Sequence, residues 1–203
     1  MKPTPPAATK GGRRWRALPT AAFMTLFIAG LCLAGQGAVI PAKAVLAQVL
    51  LERAFAKSRA GVPVKAWPWA DAVPVARISV PRLGVSEIIL SGGSGEALAF
   101  GPTLVPGGAA FGQNGTAVVA AHRDTHFSFM RYLRPGDVVV IESVDGGRTS
   151  FLIQGGYVVR NDRFGIEPHA VAPTLVLSTC WPFDTATRGP WRYVAIARAQ
   201  SSG

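Results

Sequence analysis

Residues 174–183 read TLVLSTCWPF. A short aliphatic run climbs to a Ser-Thr pair and ends on Cys180, and Trp181-Pro182 breaks the chain straight after it. An apolar run of this length, bounded by a proline, reads as a buried strand. Five more β-branched runs lie around it: VARISVPRLGVSEIIL (75–90), GTAVVAAH (115–122), DVVVIESV (137–144), TSFLIQGGYVV (149–159) and RYVAIARA (192–199). Between them stand GGSGE, VPGGAAFGQNG, RPGD and VDGG, all rich in turn residues. This pattern predicts an all-β sandwich or barrel. ESVDGGRTS (142–150) predicts a hairpin, and HFSFMRYL (126–133) a short helical turn. No long helical period interrupts this half, and no internal repeat is present.

The chain has 203 residues and a formal net charge of +10. That length fits one domain with an appendage. Lys2, Lys10, Arg13, Arg14 and Arg16 all precede the first long apolar run. No basic surface interleaved with aromatics follows, so nucleic acid is not an expected partner. Residues 18–40 carry no charge and are long enough to cross ~30 Å of hydrocarbon. The basic flank predicts a single-pass anchor in the cell (inner) membrane, with residues 1–17 as a basic cytoplasmic tail and the rest outside the cytoplasm. A cleavable signal peptide is the alternative, with PAKA (41–44) as its small-residue site. Residues 41–60 read as a juxtamembrane amphipathic helix with Val45, Val49, Glu52 and Ala56 on mixed faces, or as a continuation of the anchor. Gly61 ends it, and residues 61–74 form a Pro-rich linker whose Trp67 and Trp69 suit either the membrane interface or the domain. The β domain is expected over 75–199. Of the two cysteines, Cys32 reads as a small apolar residue in the membrane run. Cys180 stands apart as a candidate reactive thiol, and no disulfide framework exists.

His122 follows the strand TAVVAA, and Arg192 opens the last strand. Taken singly, a loop histidine is ordinarily solvated, a lone cysteine is ordinarily a small buried hydrophobe, and an edge arginine often only blocks strand pairing. Together they set a nucleophile, an acid/base and a permanent cation at strand ends.

TLVLSTC, with Arg192 downstream and AAHRDTHF (120–127) upstream, resembles the sortases. AAHRDTHF, LRPGD, STCWPF and the helix AKAVLAQVLLERAF resemble the sortase class of Gram-negative proteobacteria. Leu177-Ser178 departs slightly from the family's approach to the Thr-Cys pair. The resemblance implies an eight-stranded β-barrel and a membrane-anchored cysteine transpeptidase. Its substrate would be an exported protein carrying an LPxT-like C-terminal sorting motif, and its acceptor an amine that the sequence does not name. It further implies Cys180 as nucleophile, His122 as general acid/base and Arg192 as the oxyanion or substrate stabiliser, with Thr179 in support. The chemistry agrees: a thiolate attacks an amide carbonyl, fixed donors hold the oxyanion, guanidinium suits that task, and imidazole moves the proton. Asp124 is placed to orient the imidazole or to form an Asx turn. Arg188 competes with Arg192 but sits in the turn TATRGP. No cofactor or metal is expected, because the His122/His126 pair lacks a clear third ligand and His169 lies in a loop. Two other readings stay open: an anchored β-domain that binds or scaffolds an envelope partner, and a peptidoglycan L,D-transpeptidase, whose flanking glycine is missing before Cys180.

Overall fold

The computed structural model describes residues 14–92, 95–163, 165, 170–185, 187 and 189–200. The tail at 1–13, His169 and Arg188 fall outside the described residues. Eight strands close into a barrel: β1 Pro74–Val80, β2 Val85–Leu90, β3 Thr103–Leu104, β4 Gly115–Ala120, β5 Val138–Ser143, β6 Arg148–Arg160, β7 Pro173–Cys180 and β8 Trp191–Ala199. Their order around the barrel is β1-β2-β3-β4-β7-β8-β6-β5. Strand alternation sends one side chain in two inward, and β1 shows it cleanly, with Ala76, Ile78 and Val80 buried at alternate positions. They join Val119, Phe127, Met130, Ile141, Phe151, Leu175 and Leu177 in the interior.

The six apolar runs become eight strands for local reasons. Residues 75–90 split at Pro81–Leu83, a 3-10 turn that ends on Gly84 at φ 64°. Proline has no amide hydrogen for the ladder, and the left-handed exit needs glycine. β3 was hidden in the Gly/Pro-rich stretch after α2 (Gly95–Phe100), because two residues are too few for any period to show. The β5–β6 hairpin lies at ESVDGGRTS, where the Ser143 carbonyl accepts from Gly146 N–H at 3.0 Å and Gly146 has φ 89°. The helical turn expected at 126–133 is a 3-10 helix over Ser128–Tyr132.

One helix, α1 (Arg14–Ser58), replaces the two expected, running through Pro41 and starting inside the expected tail. Within Leu46–Ser58 its buried face is Ala47, Leu51, Ala54, Phe55 and Ser58. Val45 and Val49 are exposed. Leu51 and Phe55 pack with Ile88 and Leu90 of β2 and Ala97 of α2. β2 is thus buried on both sides, since Ile89 points into the barrel. Arg77 pairs with Glu52 at 2.6 Å and lies 5.1 Å from the Phe55 ring centre. Trp67 packs edge-on against Phe100 at 4.8 Å, whereas Trp69 is exposed. Earlier in α1, Phe23, Leu26, Phe27, Ile28, Leu31 and Leu33 are all exposed. Among the described residues, no helix is long and apolar enough to cross a membrane.

A buried carboxylate fastens the loops. Asp137 accepts from Arg82 Nε and Nη2 and, at 2.8 Å, from Arg134 N–H. Arg82 also donates to Tyr132 O at 2.7 Å. The Arg82 guanidinium bonded to it holds the Asp137 carboxyl below the usual carboxylate range, against its burial.

Candidate active site

β4 and β7 run parallel in unbroken register from Gly115↔Pro173 to Ala120↔Ser178. The alignment holds past the ladder's end, because Ala121 N–H donates to Ser178 O at 3.2 Å. Thr179 Oγ1 then donates to Ala121 O at 2.7 Å. The ladder itself ends at Ala120↔Ser178; continued two residues past it, that register leads to His122 and Cys180. β8 lies on the other side of β7 in antiparallel register, and Cys180 pairs directly with Arg192. Paired residues share a face. Cys180 and Arg192 therefore stand side by side on the outer face of the barrel, where neighbouring strands are ~4.8 Å apart, and the β4–β7 register, carried two residues on, leads His122 into the same row.

The row below it on that face is Ala120, Ser178 and Val194, and Val118 and Val176 lie beneath. Val118, Val176 and Val194 are buried, with Val105, Val159 and Ile196 packed at their sides. This apolar bed packs across the three strands β4, β7 and β8 that lead to the row. Cys180 is a free thiol of intermediate exposure, whereas His122 is exposed. Arg192 uses Nη1 to donate to Gly189 O at 2.9 Å and Trp191 O at 2.8 Å. Among the described residues its Nε and Nη2 have no partner.

The supporting residues fall elsewhere. Thr179 is 2 % exposed and points inward, its hydroxyl committed to Ala121 O. Alternation makes this unavoidable, since its neighbour Cys180 faces out. Asp124 is exposed and makes no hydrogen bond to the His122 ring among the described residues. His126 is not paired with His122; its Nδ1 lies 2.9 Å from Glu87 Oε2. No group of three metal-binding side chains occurs among the described residues.

Sequence reading missed the residues that hold the β7–β8 connection. Arg123, 8 % exposed, donates through Nη2 to Thr185 O and, at 2.9 Å, to Thr187 O. Arg131 pairs with Asp184 at 2.7 Å and lies 5.2 Å from the Phe183 ring centre. Trp181, Phe183 and Tyr193 form a ring cluster, with Tyr193 5.3 Å from Phe183 and 6.0 Å from Trp181. Burial pushes the Tyr193 phenol up. Arg123 stands in AAHRDTHF and Arg131 in HFSFMRYL, but charge alone does not reveal that one of them is buried.

A family model described as the sortase domain matches residues 78–200. Among solved structures the chain is similar to sortase A from Corynebacterium diphtheriae, with TM-score 0.60 and 20% identity, covering 66% of this chain and 64% of that one. It is also similar to a sortase E variant from Streptomyces avermitilis, with TM-score 0.52 and 28% identity, covering 63% and 88%. A Clostridium perfringens sortase D5 transpeptidase matches with TM-score 0.56 and 22% identity, covering 63% and 79%. The chain thus spans less than two thirds of the Corynebacterium protein's length. No curated protein matches.

Proposed function

Since the chain belongs to the sortase family of cysteine transpeptidases, we propose that it cleaves a C-terminal sorting motif of an exported protein and transfers the upstream part to an amine. The observation that carries this reading is the direct Cys180↔Arg192 pairing of β7 and β8, with the parallel β4–β7 register leading towards His122.

In the reaction, the Cys180 thiolate attacks the scissile carbonyl and forms the C–S bond. The carbonyl π pair moves onto oxygen, where the N–H groups of Arg192 stabilise it. As the tetrahedral species collapses, the C–N bond breaks and the His122 imidazolium protonates the leaving amine. A thioester remains. An incoming amine attacks it, His122 takes that amine's proton, and a new amide forms as the Cys180 thiolate leaves. The sorting motif is LPxT-like by family. AAHRDTHF, LRPGD and STCWPF support the Gram-negative proteobacterial class.

The chain acts as a single-pass protein of the inner membrane, with its N-terminus cytoplasmic and its barrel outside. The uncharged run at 18–40, the basic cluster before it and the exposed apolar side chains from Phe23 to Leu33 support this. Such a continuous apolar surface is unfavourable in water.

The test is to incubate the full chain in mild detergent with LPxT-like peptides and hydroxylamine, beside Cys180→Ala. Mass spectrometry should find hydroxamates and a trapped acyl-enzyme with the native chain only. Equal product from both chains would remove Cys180 from the mechanism.

A further inference from the structure

The β7–β8 connection joins the nucleophile to Arg192, so its placement matters to both. Two arginines of the segment after β4 hold it, and they are not equivalent. Arg131 and Asp184 form a pair at the surface, where the Asp184 side chain is 84% exposed. Exposed pairs of that kind contribute little. Arg123 is buried, and its guanidinium meets carbonyl oxygens rather than a carboxylate. Its Nη1 is buried and has no hydrogen-bond partner among the described residues. A buried cation with an unused donor destabilises a fold relative to an apolar side chain of similar volume. Packing alone therefore does not account for an arginine here.

The contacts themselves supply an account. Nη2 of Arg123 bridges Thr185 O and Thr187 O, and the Thr187 N–H in turn donates to Thr185 Oγ1 at 3.1 Å. This fixes the middle of the connection against the residue that follows His122. Two residues beyond Thr187, Gly189 O accepts from Arg192 Nη1. A short relay thus runs from the His122 side of the row, through the connection, to Arg192.

We propose that Arg123 is a positioning residue, which sets the β7–β8 connection so that Gly189 O holds the Arg192 guanidinium in the row with Cys180. The importance of Arg192 to turnover rests on the transpeptidase reading, but the positioning itself does not. Lysine keeps the charge yet cannot bridge two carbonyls with one planar group.

The test compares the full chain with its Arg123→Lys, Arg131→Ala and Arg192→Ala variants. Cys180 is alkylated with iodoacetate and with iodoacetamide, and modification is followed at that residue by mass spectrometry. The ratio of the two rates reports the cation beside the thiol, because only iodoacetate is an anion. Arg192→Ala should lower the ratio about threefold. Arg123→Lys should lower it nearly as far, while Arg131→Ala leaves it unchanged. Trypsin cleavage after Arg188 should be about tenfold faster in Arg123→Lys, since local opening governs such cleavage.

If Arg123→Lys does not fold, Arg123→Gln, which removes the buried charge, is read in the same way. A ratio equal to that of the native chain, in whichever variant folds, overturns the proposal even if cleavage is faster. An unchanged ratio in Arg192→Ala overturns it as well. Neither readout needs a substrate, so absence of turnover in the native chain defeats the transpeptidase reading alone. Where turnover is present, Arg123→Lys should lower kcat with KM within about threefold.

Discussion

Replacing Thr179 by valine separates two roles for the residue before the nucleophile. Its hydroxyl donates to Ala121 O at 2.7 Å, and the side chain is 2 % exposed. Valine keeps the shape and removes the donor. The substitution loses a net ~1 kcal/mol for the bond and leaves a buried carbonyl unpaired, so the total is about 2 kcal/mol. In a chain of this size that lowers the melting midpoint by roughly 4–8 °C. Urea denaturation of the full chain in detergent, followed by tryptophan fluorescence, measures it. Thr179→Ser keeps the bond and should cost only about 0.8 kcal/mol for the lost methyl. Turnover should fall modestly in the valine variant, because Ala121 adjoins His122. The reasoning is refuted if Thr179→Val unfolds within about 0.5 kcal/mol of the native chain while turnover collapses. The hydroxyl would then serve the substrate rather than the fold.

The remaining expectations concern single contacts. Arg192→Lys should lower kcat about 10²-fold in the hydroxylamine assay, since one ammonium cannot replace the fork of donors; a change below threefold removes Arg192 from the oxyanion role. At Gly156 an added Cβ would lie 2.2 Å from Tyr193 Oη and 2.6 Å from Cζ. Gly156→Ala should therefore destabilise by about 1–3 kcal/mol, read by the same denaturation, with the ring cluster after Cys180 displaced. Asp137 contributes stability above the unfolded carboxylate value of about 4, and that stability is lost as pH falls through its depressed folded value. The difference in melting midpoint between native chain and Asp137→Asn should accordingly shrink from pH 6 to pH 2, and a constant difference would show that the Arg82 contact is not charge-assisted.

The barrel was legible from its aliphatic runs, because burial on the inner face forces their composition. Cys180, His122 and Arg192 stood out because each closes or opens such a run. Register carries what the runs cannot: Thr179 faces inward only because Cys180 faces outward. The rest depended on contacts far apart in sequence. Arg123 reaches the carbonyls of Thr185 and Thr187, and no local pattern encodes that. α1 extends through Pro41 although proline weakens helices. The surface that Leu51 and Phe55 bury is decided by β2, more than thirty residues later, so no local pattern marked those two.

The barrel has one weak seam. β3 touches β2 through the single pair Leu90↔Thr103 and β4 through two pairs. Every other junction is a ladder of four or more pairs. The cylinder has its fewest ladder pairs at this stave, though Leu90 N–H to Pro102 O and Val105 N–H to Val118 O, both 2.8 Å, flank it; were it to open, the strand bared is β4, which ends two residues before His122. Its free rim would be a template for another extended chain to lie along. The two residues Thr103 and Leu104 thus guard the molecule against zipping to its own kind, a burden out of proportion to their length.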